Sequence, residues 1–294
     1  MTNLKEYDKT IKLMGTKGSY FFLPESVILN KGKSAEKTVS VLSFFLMRRG
    51  LDRKVMFTVK SIVEWLGMTP DAHKGATNDK IIIALKELAK EGLVSFSDKL
   101  SHSKPCTATV NIDEIKRRVD EGYFAVVYVD EIQKIMDYRK SKKTPLSTGA
   151  DKVFLVFSWL RMRIPRRSND VPYGFEVIDE NFRVKEDETR EQNRLIKPEA
   201  WNCYFRDIAE ELGLTERTVS DAVSILESIG LIVSKTLKRE KDPLGQWHTG
   251  WTIFCNAYKR EKGQLLASGD SYTTKEIAAK EEALKALQKK WTTK

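Results

Sequence analysis

Apolar residues recur at helical spacing through WNCYFRDIAEELGL, where Phe205, Ile208, Ala209 and Leu212 share one face and Gly213 ends the run. A second helix follows almost at once. Thr215 stands where an N-cap belongs, and Val219, Ala222, Val223, Leu226 and Ile229 form a stripe for burial that stops at Gly230. The pattern then changes period. LIVSKTL and WTIFC carry β-branched and aromatic residues on either side of the polar KREKDPLGQWHTG, which predicts the two arms of a hairpin. Two short helices across a tight turn leave Arg217, Thr218, Ser220, Asp221 and Ser224 on the open side of the second one.

An imperfect copy lies upstream. TVKSIVEWLGM sets Ile62, Leu66 and Gly67 against Ile208, Leu212 and Gly213, and KIIIALKELAKEGLV sets Ile81, Ala84, Leu88 and Gly92 against Val219, Ala222, Leu226 and Gly230. The turn between its helices, TPDAHKGATND, is longer, and its hairpin is assigned to VSFSDKLSHSKPCTATVNI. Further back, YFFLPESVI and VSVLSFFLMRR compare with YFAVVYVDEIQKIM and VFLVFSWLRMR: a short aromatic strand leads into a small helix, and a longer apolar helix ends in basic residues. Phe44, Phe45, Trp65, Phe157, Trp159 and Trp251 fall inside these apolar segments, which assigns them to cores.

The fold class expected is therefore mainly α with small β hairpins, an α+β chain of two tandem units. An N-terminal arm takes residues 1–17, the first unit 18–118, the second unit 119–258 with a charged insertion at 165–200, and a tail 259–294. Within the tail, Thr273 and Glu276 have capping-box spacing, and Ile277, Leu284, Leu287 and Trp291 share a helical face. Docking on its own chain and joining a partner both fit such a helix; because the stripe is narrow and remote from either unit, it leans towards a partner.

Composition narrows the chemistry. The 294 residues hold 51 Lys and Arg against 41 Asp and Glu, a formal charge of +10, which favours an anionic partner. Three cysteines, Cys106, Cys203 and Cys255, stand far apart with only His73, His102 and His248 as co-ligands, so neither a metal site nor a disulfide framework is expected. The first residues are polar, and apolar runs such as FAVVYV and VFLVF are too short to span a bilayer; a cytoplasmic protein without membrane partners is expected. No GxxxxGK[ST] phosphate loop, GxSxG elbow or HExxH motif occurs, and no two histidines have the His-hydrophobic-His spacing of nicking enzymes. The expectation is a non-enzyme that needs no cofactor.

DIAEELGLTERTVSDAVSILESIGLI followed by a hairpin resembles a winged-helix DNA-binding domain. The resemblance implies a recognition helix whose first turns lie nearest the base edges in the major groove. Arg217 would then bridge guanine O6 and N7, while Thr215, Thr218, Ser220 and Ser224 would reach bases or phosphates. Glu216 and Asp221 would repel phosphate unless one accepts from cytosine or pairs with Arg217. In the first copy Asn78 would contact adenine, and Lys74 and Lys80 suit phosphates. The hairpins would add backbone or minor-groove contacts through Lys99 and Lys104 in one unit and Lys235, Lys238, Arg239 and Lys241 in the other.

Two such units in one basic chain, with LPESV after a leading aromatic strand and an apolar helix ending in RR, resemble the replication initiators and regulators of Gram-positive plasmids and mobile elements. This implies double-stranded DNA with repeated or palindromic sites as the partner, contacts to replisome proteins, and compatibility with a homodimer. Two alternatives stay open: a transcriptional regulator of a mobile element, and an adaptor or loader whose winged helices bind proteins.

Overall fold

A computed structural model describes residues 20–30, 35–102, 104–141, 148–164, 200–237, 240–241, 247–248, 251–257, 259–261, 264–266 and 277–285 without 279 and 283. The arm at 1–17 and all of the expected insertion at 165–200 except Ala200 lie outside these residues. The chain is mixed α and β, with helices packed around small antiparallel sheets. It divides into two compact units, Met1–Met162 with Ala209–Ile225, and Arg163–Ile208 with Leu226–Lys294.

In the first unit, β1 (Tyr20–Pro24) leads into the short α1 (Glu25–Ile28) and then α2 (Ala35–Arg48). β2 (Lys54–Phe57), α3 (Val59–Trp65), α4 (Thr77–Lys90), β3 (Val94–Phe96) and β4 (Cys106–Val110) follow, and the three strands pair antiparallel in the order β2-β4-β3. α3 begins where it does because Thr58 and Ser61 cap each other: the Ser61 N–H donates to Thr58 Oγ1 at 3.0 Å and the Thr58 N–H to Ser61 Oγ at 3.1 Å. α2 packs along α4, and the Thr38 hydroxyl donates to Glu87 across that contact at 3.0 Å. The core is filled by Leu42, Phe44, Phe45, Phe57, Ile62, Leu66, Ile81, Leu85 and Leu88, all buried. Phe44 and Trp65 meet edge to face, as do Phe45 and Phe57, so these rings are occupied in packing.

After α5 (Ile112–Glu121) the pattern restarts with β5 (Phe124–Tyr128), α6 (Val129–Ser141) and α7 (Ala150–Arg163). β5 pairs antiparallel with β1, Tyr20 opposite Tyr128 and Pro24 opposite Phe124, so the leading strands of the two repeats form one ribbon. α2 and α7 share details beyond their sequence pattern. Ser43 donates to the Val39 carbonyl and Ser158 to the Phe154 carbonyl, each at 2.8 Å. Glu36 and Asp151 occupy the second position of each helix, and both carboxylates engage the Lys37 ammonium. Lys37 and Asp151 are both buried. Burial alone would lower the Lys37 pKa, but the charge and hydrogen bond of Asp151, helped by Glu36, hold it above the ordinary lysine value. A second buried pair joins Arg161 to Glu131, whose other oxygen accepts the Tyr128 N–H at 2.9 Å.

The chain then repeats the succession: β6 (Ala200–Cys203), α8 (Phe205–Leu212), α9 (Glu216–Ser228), β7 (Ile232–Thr236) and β10 (Thr252–Asn256), with β8 (Glu240–Lys241) and β9 (Trp247–His248) paired between the last two strands. Gly213 and Gly230 end α8 and α9 with φ of 64° and 68°, the left-handed conformation that glycine adopts without a Cβ penalty. In the second unit the strands pair in the order β6-β10-β7, the same connectivity as β2-β4-β3. β11 (Lys259–Glu261) and β12 (Gln264–Leu266) form a small hairpin beyond it.

The tail departs from expectation. Ile277 and Leu284, on helical residues, are buried in one cluster with Ala200, Leu237, Ile253 and Cys255, so this half of the stripe covers its own sheet. Leu287 and Trp291 lie outside the described residues. Among the described residues no helix is long and apolar enough to cross a membrane.

Candidate nucleic-acid interface

α4 buries Ile81, Ala84, Leu85 and Leu88 on one side and turns Lys80, Ile83, Lys86 and Lys90 to solvent. Lys74 is exposed in the turn before it, and Lys99 and Lys104 are exposed in the loop joining β3 to β4. None of these lysines has a carboxylate partner among the described residues. The carboxylates on the same helix are engaged elsewhere: Asp79 accepts the Gly75 N–H at 2.7 Å, and Glu87 accepts from Thr38. His102 Nε2 lies 3.5 Å from Asp79 Oδ1, which sets the tip of the β3–β4 loop beside the first turn of α4. Lys74, Lys80, Lys99 and Lys104 are thus gathered around one helix end.

Asn78 does not join them. It is 4% exposed, its N–H donates to the Asp71 carbonyl at 3.1 Å, and its Oδ1 accepts the Asp71 N–H at 3.1 Å. The amide expected to read adenine instead closes the long turn before α4. Sequence reasoning places Lys86 among the positions comparable to the recognition residues of the second copy but passes over Ile83 and Lys90, although the spacing of all three from the buried residues was there to be counted. Helix periodicity places all three opposite the stripe of Ile81, Ala84 and Leu88.

α9 starts where the sequence places it. Thr215 caps the helix: its Oγ1 accepts the Thr218 N–H at 3.2 Å and stands 2.9 Å from Thr218 Oγ1. Thr215, Glu216 and Arg217 are exposed, and Arg217 has no ion-pair partner among the described residues. Thr218, Ser220 and Asp221 are half-buried, and Asp221 accepts from Thr148 Oγ1 at 3.4 Å. The exposed Ser224 hydroxyl donates to the Ser220 carbonyl at 3.0 Å, which leaves its oxygen lone pairs toward solvent.

The second hairpin is described only in part. Lys235 is exposed on β7, but its ammonium pairs with Glu281 of the tail, so it is not a bare cation. Hydrogen bonds from Lys235 and Lys285 lower the Glu281 pKa. Burial lowers that of the neighbouring Lys280. Lys238 and Arg239 lie outside the described residues, and Lys241 is described only in its backbone, in β8.

Cys106, Cys203 and Cys255 are all buried, and none of them is in a disulfide among the described residues. Among the described residues no group of His, Cys, Asp and Glu gathers to hold a metal ion. The chain matches no protein-family model, and a search of curated proteins finds no matching sequence.

Proposed function

We propose that this chain is a non-enzymatic, sequence-specific binder of double-stranded DNA, built from two winged helices and acting as the replication initiator of a plasmid or mobile element. A winged helix is the succession helix, strand, two helices, and a hairpin of two strands, with the third strand between the first and second. α2, β2, α3, α4, β3 and β4 follow that order, and so do α7, β6, α8, α9, β7 and β10. In such a domain the second helix of the pair enters the major groove and the hairpin lies along the backbone.

The observation that carries the reading is the set of bare cations around α4. Lys74, Lys80, Lys86, Lys99 and Lys104 are exposed and lack carboxylate partners among the described residues, while Asp79 and Glu87 are held by their own neighbours. Lysines on a surface evolved only for solubility are commonly interspersed with carboxylates in pairs, as at Lys60 and Glu64. A cluster of cations without carboxylate partners on a helix and its adjoining loop fits a row of phosphates. The longer turn of the first copy, closed by Asn78, leaves α4 available for this role.

Titrating the full-length protein with labelled duplexes at increasing salt tests DNA binding. Affinity should fall linearly in log–log form, with a slope that counts the phosphates neutralised. A salt-independent or absent interaction would remove the reading. Replication is tested separately: a plasmid bearing the native origin should be lost when this gene is deleted, whereas a transcriptional regulator would leave it replicating.

A further inference from the structure

Ile83 is 42% exposed, at the middle of the solvent face of α4, in a helix whose inward residues Ile81, Ala84, Leu85 and Leu88 are fully buried. At about 100° per residue, Ile83 lies nearly opposite that core stripe. Its neighbours on the open face are Lys80, three residues before, and Lys86, three residues after, with Lys90 a turn further on. All three lysines are exposed and without a carboxylate partner among the described residues. A branched aliphatic side chain kept bare there costs apolar hydration and has no packing role in the core.

A protein-docking patch would surround Ile83 with further apolar residues and a mixed polar rim. Its helix neighbours are charged instead: Lys80 and Lys86 lie three residues to either side, and Asp79 and Glu87, four residues to either side, are half-buried and held by Gly75 and Thr38. One apolar group between two positive charges on a single helix face is complementary to a groove floor walled by phosphates. The apolar group that DNA offers on the major-groove floor is the C5-methyl of thymine. We infer that Ile83 is a specificity-determining residue that packs on a thymine methyl while Lys80 and Lys86 hold the flanking phosphates, an assignment that rests on the DNA-binding reading above.

The two copies should then read different bases. In the repeat alignment that sets Ile81 on Val219, Ile83 falls on Asp221, and Lys80 and Lys86 fall on Thr218 and Ser224. α9 therefore lacks both the apolar group and its flanking cations, so the thymine contact belongs to the half of the site engaged by α4.

The test starts from the tightest duplex recovered from a randomised pool with the full-length protein. Each thymine is replaced in turn by deoxyuridine, which removes only the methyl group. With the unmodified protein, at least one position should lose affinity about fourfold, the worth of one buried methyl group. With Ile83→Ala, whose thermal midpoint should match the unmodified protein because the side chain is exposed, thymine and deoxyuridine should become equivalent at that position. Lys80→Ala should keep the discrimination and reduce the salt slope. Equal binding of all substituted duplexes by the unmodified protein, or discrimination that survives in Ile83→Ala, overturns the assignment. If the unmodified protein selects no duplex with salt-sensitive affinity, the DNA reading itself fails, and that outcome is distinct from a bound duplex indifferent to the methyl.

Discussion

Asn78 occupies the second position of a helix that follows a polar turn, where an amide facing outward would be free to meet adenine. What the residue type alone does not reveal is that a turn of this length needs its own closure. The two hydrogen bonds to Asp71 supply it, and with 4% exposure the side chain has no route to a base. Asn78→Ala should therefore lower stability by about 1–3 kcal/mol, the cost of leaving the Asp71 N–H without its partner, without altering base preference. Urea unfolding reads the first effect and competition between duplexes the second.

Lys37 and Asp151 make a parallel case for charge. Removing one partner strands the other in the core, so Lys37→Met should cost about 3–5 kcal/mol in chemical denaturation. The double replacement Lys37→Met with Asp151→Leu should recover most of that loss, because an apolar pair of similar volume avoids desolvating two charges. Their partnership was hidden in the sequence because 114 positions separate them.

At the scale of elements, the periodic segments were legible. The stripe of α4, the stop at Gly230 and the cap at Thr215 all follow from local rules that tertiary packing reinforces. Less legible was which strand would pair with which. β1 and β5 were recognisable as aromatic strands of a repeat, yet period and composition carry no register, and only the structure pairs them with each other.

If the chain binds DNA as proposed, the solvent-facing helices should yield two separable phenotypes. Arg217→Ala should cost about 1–3 kcal/mol at one guanine position and leave other positions alone, because a guanidinium bridges O6 and N7 of a single base. Lys80→Ala should weaken all sequences alike and reduce the salt slope by about one. Footprinting and salt titration distinguish them.

α5 supplies a pH signature. Hydrogen bonds from Arg117 and Arg118 hold the Glu114 carboxyl at a pKa of about 2 against an ordinary 4.5. A depressed carboxyl stabilises the fold above its unfolded pKa, and that contribution is lost as pH falls from about 4.5 towards 2. Glu114→Gln should flatten the acid limb of the stability profile over that window, as measured by thermal midpoints.

For the molecule as a whole, the tail marks where reading one dimension fails most clearly. A narrow apolar stripe states that something must cover it but does not say what, and its distance along the chain from either core suggested a foreign partner. In three dimensions Ile277 and Leu284 close the cluster of Ala200, Leu237, Ile253 and Cys255, and Glu281 adds an ion pair with Lys235. The described part of the stripe, Ile277 and Leu284, is covered within the second unit and belongs to its core.

The distinction is measurable. Leu284→Ala leaves a cavity in the cluster with Ala200, Leu237, Ile253 and Cys255, and the expected loss is about 2–5 kcal/mol. Hydrogen exchange should then show faster opening of β6, β7 and β10, while α2 and α4 in the first unit keep their protection. A tail that served chiefly to join two chains would give the opposite pair of results, a changed sedimentation coefficient with the protection of β6, β7 and β10 intact. Since the side chain is 4% exposed in the single chain, its truncation should register first in the stability of the second unit.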